Sequence, residues 1–357
     1  MNPVKLLNRT ALFAVTPFLG ILIWLLSSNI AITLSSGDIA MPEMRQSAQS
    51  SDSLGKLASG LDQAQEIAAH TGESLRKQVE LYDKTNAEMA EIGKLAAAQA
   101  GRPLAIYDAK ITARLGKPST TISSNKLRAQ LFYLKNEQFR SYAVKIQLKD
   151  PDAMDMVLGG SELGQAMTTL QAVKKHGAAV GVNAGGFADS KGSRYPLGTT
   201  MVNGEYVAGF QPTYLDLFFV GLNESGKLIG GKFDKQEQLD AKKPRFGATF
   251  VPILLKGGAK QEIPAKWQNS PKRAPRTIIA NYKDNQLLLL VTDGYNEAGS
   301  SGASLAELQD LLQAYGVIDA YNLDGGGSSS LVFNGKLINK PSDGSLRKLP
   351  THFLFYK

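Results

Sequence analysis

Tyr321-Asn322-Leu323-Asp324-Gly325-Gly326-Gly327-Ser328-Ser329-Ser330-Leu331-Val332-Phe333-Asn334-Gly335-Lys336-Leu337-Ile338-Asn339 is the stretch on which the reading of this chain turns. The apolar approach through Val317, Ile318, Ala320 and Leu323 predicts a buried strand that delivers Asn322 and Asp324 to its end. Three glycines follow, which reach backbone angles closed to other residues and let a ligand approach the amides. Three hydroxyls come next, and Asn334-Gly335 signals a tight hairpin that returns a second strand. A carboxylate, an amide, backbone N–H groups and hydroxyls thus converge on one loop. That equipment suits an oxyanion or a sugar, although a plain Gly/Ser turn would carry the same letters.

Two other strand ends share the pattern of a polar residue followed by glycine. The buried run Ala178–Val182 ends in Asn183-Ala184-Gly185-Gly186-Phe187, and Leu287–Val291 ends in Thr292-Asp293-Gly294. Three such ends in one domain suggest a shared site, because rigid scaffolds carry ligand groups on the loops at strand ends. The remaining pattern is one of hairpins. Strand-like alternation begins at Leu127, turns fall at Asn203-Gly204 and Glu224-Ser225-Gly226, and Arg276–Ala280 pairs with Leu287–Val291 around Lys283-Asp284-Asn285. Ser161 to His176 reads as a helix stopped by Gly177, and Ser304-Leu305-Ala306-Glu307 is a capping box opening a helix that ends at Gly316. Phe353–Phe355 reads as a last strand. Many hairpins and few helices predict an α+β fold with a mixed, hairpin-rich sheet core.

The N-terminal third is different. Residues 1–10 carry Lys5 and Arg9, and 11–34 form an uncharged, mainly apolar run, long enough for the roughly 20 residues of a spanning helix. Asp38 and Glu43 follow, so the positive-inside rule puts the N-terminus in the cytoplasm and the rest outside the membrane. The run exceeds the roughly 7–15 residues of a signal-peptide core and lacks a small-x-small cleavage site, which favours an uncleaved anchor. A Ser/Gln/Gly-rich linker is expected at 35–53 and a heptad-patterned helical stalk at 54–100, ended by Gly101-Arg102-Pro103, with a connector at 101–126. The apolar seam over 54–96 includes Leu54, Leu57, Leu61, Leu75, Met89 and Ile92, and would support either self-association in a coiled coil or a lone amphipathic helix.

The inventory removes several chemistries. There is no cysteine, which excludes thiolate metal sites and cysteine nucleophiles, and the three histidines are scattered. No Gly-x-Ser-x-Gly elbow or phosphate-binding Gly-x-x-x-x-Gly-Lys-Ser/Thr loop occurs. The net charge of +8 fits an anionic neighbour, but no basic block or RNA-binding aromatic signature points to nucleic acid. Carboxylates (Asp189, Asp293, Glu307, Asp324), amides, hydroxyls and Arg276 remain, a set suited to glycosidic or phosphate-ester substrates. Glu307 reads as a helix cap. No cofactor is implied, and no ligand spacing demands a metal, although a divalent ion beside the glycine loops stays open.

The ordered set Asn183-Ala-Gly-Gly-Phe187, Pro196-Leu-Gly198, Asn203-Gly204, Pro275-Arg276-Thr277, Asp293-Gly294, Gly302–Leu308, Asn322–Ser329 and Asn339-Lys-Pro341 resembles the phosphodiester glycosidase family over about Leu127 to Lys357. The resemblance implies hydrolysis of the bond between a sugar's anomeric carbon and a phosphodiester, on a phosphorylated glycan of the cell envelope or exopolysaccharide. Among the positions it matches, we expect Asp324 to be the catalytic acid or nucleophile and Asp293 its carboxylate partner. The resemblance also implies Asn183, Gly185, Gly186, Arg276, Thr277, Asn322, Gly325, Gly326, Ser328 and Ser329 as the pocket lining, with Arg276 and the loop amides holding the phosphate. Two positions depart from the family pattern: Tyr295 stands where an arginine often follows Asp-Gly, and Ala280 where a glycine often ends the Arg-Thr strand. The first keeps a non-catalytic phosphoglycan-binding module open, and the heptad segment keeps a structural envelope protein open.

Overall fold

The computed structural model describes residues 50–135, 137–214, 216–294 and 301–357. The expected anchor at 11–34, most of the expected linker and Tyr295 lie outside them. Among the described residues no helix is long and apolar enough to cross a membrane. The chain divides into two compact units, Met1–Met89 and Ala90–Lys357.

The first helix, α1, spans Ser50–Leu115. Through the first unit its apolar residues, Leu54, Leu57, Leu61, Leu75, Tyr82 and Met89 among them, are exposed. The helix does not stop at Gly101-Arg102-Pro103 as the sequence predicts, and the expected connector is helical up to Leu115. Pro103 removes one backbone donor, but the turns beyond it belong to the second unit and pack into its core. Ile111 and Leu115 are buried beside Phe132, Ala143 and Leu290, and Asp108 accepts from the buried Lys145 ammonium at 2.5 Å and pairs with Arg128 at 3.3 Å. Tertiary packing overrides the local breaker. Gly116, at φ +92°, ends the helix.

The second unit is built on three main sheets in which every described strand pair is antiparallel, so the mixed sheet expected from the sequence is corrected to an antiparallel one. The largest runs β1 (Thr120–Ser123), β2 (Leu127–Lys135), β3 (Arg140–Leu148), β16 (Leu287–Thr292), β15 (Arg276–Asn281), β17 (Asp319–Leu323), β13 (Ile253–Lys256), β14 (Ala259–Lys260). A second holds β11 (Leu228–Gly231), β10 (Phe218–Asn223), β12 (Pro244–Phe250), β8 (Met201–Val202) and β9 (Glu205–Tyr206). The third holds β19 (Lys336–Leu337), β18 (Leu331–Phe333), β5 (Val180–Asn183), β20 (Thr351–Phe355) and β4 (Met154–Leu158). A two-stranded ribbon of β6 (Phe187–Ser190) and β7 (Ser193–Pro196) stands apart. Among the described residues four further α-helices are α2 (Thr169–His176), α3 (Gln236–Asp240), α4 (Ala265–Asn269) and α5 (Leu305–Ala314).

The unbroken apolar run Leu287–Val291 follows from burial on both faces of the large sheet. Leu287, Leu289 and Val291 join a core shared with Val182, Phe218, Phe246, Leu323 and Phe353. Leu288 and Leu290 pack on the other face with Leu305, Leu308 and Leu312 of α5. Ala280 is fully buried there too. The helix expected over Ser161–His176 is shorter, Thr169–His176, because Thr168 forms its capping box with Gln171 while Met167 bridges to Leu349. Gly164, at φ +93°, holds the preceding turn open, and Leu163 is exposed.

Candidate active site

The large sheet explains why distant stretches meet. β15 lies between β16 and β17 and runs opposite to both, with Arg276 facing Thr292 and Thr277 facing Leu323. Asp293 and Asp324 therefore leave the sheet at one edge, on either side of the Arg276 end of β15. Their backbones are two strand spacings apart, roughly 10 Å.

Asn183 arrives from the third sheet and is fully buried. Its Nδ2 donates to the Asp324 carbonyl at 2.6 Å, and its Oδ1 accepts from Thr277 Oγ1 at 2.9 Å and from the Ser330 amide at 3.0 Å. One side chain thus ties the Asp324 loop to two sheets. The expected pocket residues Asn183 and Thr277 are braces of the site.

Asp324 is the exceptional group. Its backbone N–H donates to Ala184 O at 3.2 Å, and its Oδ1 accepts from the Gly325 amide at 3.1 Å. Its Oδ2 is buried with no hydrogen-bond partner among the described residues. Burial pushes the carboxyl up to about 6, against the opposing pull of the Ser328 hydroxyl, the Arg347 charge, the Gly325 N–H and the Arg194 charge. Ser329 Oγ and Asn322 Oδ1 are likewise buried without a partner. Buried polar atoms are normally paired, and three unpaired ones fall within Asn322–Ser329.

Other expected members do different work. Asp293, 2% exposed, accepts from the Tyr142 hydroxyl at 2.6 Å and from the Lys340 amide at 2.8 Å. Both of its oxygens are engaged, so it anchors the chain leading into Pro341. Arg276, 6% exposed, donates to Pro271 O at 2.9 Å and Ala303 O at 3.4 Å, and so holds the backbone ahead of its strand together. Gly185 and Gly186 admit β12: a Cβ would meet Ala248 or the Phe250 ring. The amide of Gly326 donates to Pro275 O, that of Ser328 to Gly325 O and that of Ser329 to Gly326 O. With Gly325 bonded to Asp324, these four loop amides are directed inward, unlike the anion cradle expected of them. Glu307 is a cap, bonded to the Ser304 amide and hydroxyl and to Arg273. Among the described residues no three histidine or carboxylate side chains gather as metal ligands.

The structure adds basic groups that no motif in the sequence singles out. Arg347 Nη1 donates to Ser328 Oγ at 3.3 Å, and its Nη2 pairs with Asp343 at 2.5 Å. Arg194 grips Asp189 through two bonds, 2.7 and 2.9 Å, lies 4.0 Å over the Phe187 ring, and donates to Lys348 O at 2.5 Å. Arg194, Asp189, Lys348, Gln165 and Gly164 line a cavity of about 690 Å³. The only sequence cue to Arg347 was its nearness to Asn339-Lys340-Pro341. Asn339 itself braces the loop, donating to Ser329 O at 2.9 Å and accepting from the Leu331 amide at 2.7 Å.

Fold and site together define an antiparallel α+β domain that sets a desolvated carboxyl within reach of the Arg347 and Arg194 charges. The sequence profile of the phosphodiester glycosidase family matches residues 176–356, and the chain belongs to that family. A bovine N-acetylglucosamine-1-phosphodiester alpha-N-acetylglucosaminidase (Bos taurus) is 28% identical over 199 residues, covering 52% of this chain and 37% of that protein. The human enzyme of that name (Homo sapiens) is 31% identical over 137 residues, covering 34% of this chain and 26% of its own length. The chain thus spans well under half the length of these relatives. The solved catalytic domain of the zebrafish enzyme of that name, described as auto-inhibited by its pro-peptide, superposes with a TM-score of 0.55 at 22% identity, covering 68% of this chain and 87% of that one. That likeness is one of fold.

Proposed function

We propose that the second unit hydrolyses the bond between the anomeric carbon of a sugar and a phosphodiester, with Asp324 as the group that works at that carbon. The observation that carries this reading is the Asp324 carboxyl, half-buried, with one oxygen unpartnered and its pKa pushed up to about 6 beside guanidinium groups. A base is most useful when its pKa lies near the working pH. As a carboxylate, Asp324 takes a proton from water while the water oxygen bonds to the anomeric carbon. The carbon–oxygen bond to phosphorus breaks, and the leaving phosphate keeps the electron pair. A phosphate departs with little protonation and is stabilised by guanidinium contacts, so this route needs no second free carboxyl. Membership of the phosphodiester glycosidase family supports the substrate class.

We place this activity outside a membrane, on phosphorylated glycan of the cell envelope or exopolysaccharide. Support comes from the apolar run at 11–34 with Lys5 and Arg9 before it. Self-association through 54–96 is part of the same reading, supported by the heptad and the exposed apolar residues of α1. The test is release of free sugar by the full chain from a panel of sugar-1-phosphodiesters. No release from any member, or unchanged release by Asp324→Asn, overturns the reading.

A further inference from the structure

The segment after β19 crosses the glycine loop as a strap. Its base is held by Asn339, bonded to Ser329 O and the Leu331 amide, and by the Lys340 amide on Asp293. Its far end returns through Arg347 to Ser328 Oγ. Between these points Arg347 and Asp343 pair directly above Gly327, where any Cβ would overlap both side-chain ends. The charge of Arg347 reaches Asp324, and the neighbouring Lys348 lines the cavity with Arg194.

We propose that Arg347 is the residue that takes the phosphate of the substrate, and that the Asp343 carboxylate occupies the phosphate's place in the free protein. The inference rests on the glycosidase reading above and names its phosphate contact. Three observations support it. The guanidinium is a planar fork that matches two oxygens of a carboxylate or of a phosphate equally well. The pair is accessible, with Arg347 35% and Asp343 43% exposed, and ion pairs this open are weak enough to be exchanged. The arginine that the sequence led us to expect for this task, Arg276, is buried and turned onto backbone carbonyls. A phosphodiester entering by the Arg194 and Lys348 wall would displace Asp343, meet Arg347, and bring its anomeric carbon towards Asp324, which lies on the same loop as Ser328.

The test is direct binding to the full chain, by calorimetry, of dimethyl phosphate as the diester probe and inorganic phosphate as a second titrant. Arg347→Gln should weaken dimethyl phosphate binding by roughly tenfold or more, the loss expected for a charge-assisted hydrogen bond. Arg347→Lys, which keeps the charge but not the fork, should fall between. Asp343→Asn removes the internal competitor and should tighten binding by about fivefold. Unchanged dimethyl phosphate binding in Arg347→Gln, weaker binding in Asp343→Asn, or no binding by the wild type overturns the proposal. Diester binding that follows these variants while no sugar-1-phosphodiester is cleaved would keep the site and remove the glycosidase reading. Cleavage that continues with binding indifferent to Arg347 would do the reverse. Loss of affinity for both titrants in Arg347→Gln supports one shared phosphate site.

Discussion

Replacing Asp324 by asparagine should stabilise the second unit at neutral pH while removing its chemistry. The carboxyl moves from an ordinary 3.8 to about 6 on folding, because burial of the charge outweighs Ser328, Arg347, Gly325 and Arg194. The folded pKa lies above the unfolded one, so between about pH 4 and pH 6 the folded state binds more protons, and stability falls as pH rises through that window. Above about pH 6 the full penalty applies. About two pKa units at 1.36 kcal/mol each give roughly 3 kcal/mol. The asparagine side chain would carry none of it, but its NH2 would take the place of the unpartnered Oδ2 at a cost of about 1 kcal/mol. The net expectation is a gain of about 2 kcal/mol at about pH 7 and a loss of about 0.5 kcal/mol at about pH 4. Urea unfolding of both proteins at about pH 4, 5, 6 and 7 reads this difference, and comparing pH values cancels the amide cost. A wild-type-minus-variant difference that stays flat across this range would rule out a desolvated charge at Asp324. So would a wild type that gains on the variant as pH rises.

Asn183→Ala removes three buried hydrogen bonds at the junction of two sheets and should lower stability by about 3–5 kcal/mol, seen as a large fall in Tm. Arg276→Met should cost about 2 kcal/mol by releasing the Pro271 and Ala303 carbonyls, yet leave dimethyl phosphate affinity unchanged within about twofold. A large loss of affinity with little loss of stability would return the phosphate to Arg276. Gly327→Ala should push the flexible Arg347 and Asp343 side chains off the loop, reducing kcat/KM while Tm barely moves. With Asp324 acting as the base, kcat/KM should rise with pH through about 6 and level off; a fall across that range would make the group an acid.

Much of the scaffold was legible because its signals are local. Period-two alternation and the Asn334-Gly335 turn announced β2, β3, β18 and β19, and Asn334 and Gly335 do take the left-handed angles a tight hairpin needs. The Ser304–Glu307 box marked the start of α5. Two local signals misled. Pro103 is a breaker, but the buried Lys145–Asp108 pair and Ile111 hold α1 together beyond it. The apolar spacing in 161–168 resembles a helix, but Gly164 and the bridge from Met167 to Leu349 fix another path. Within the site, the meeting of Asn183 and Asp324 was legible from polar residues at strand ends, and Thr277 entered only through the resemblance to the family. Their division of labour was not. Whether Arg276 turns to a ligand or to Pro271 and Ala303, and whether Asp293 is spoken for by Tyr142 and Lys340, depends on neighbours up to 151 residues away. Arg347 sits in a polar tail segment with no period and gains meaning only by lying over Gly327.

The decisive assay is sugar release from a sugar-1-phosphodiester by the full chain and by Asp324→Asn, with the fold of both checked by circular dichroism. The wild type should yield free sugar and a phosphomonoester, and a variant that remains folded should lose at least about a hundredfold in kcat/KM. Equal release by a folded Asp324→Asn protein would show that Asp324 is not the group that works at the anomeric carbon.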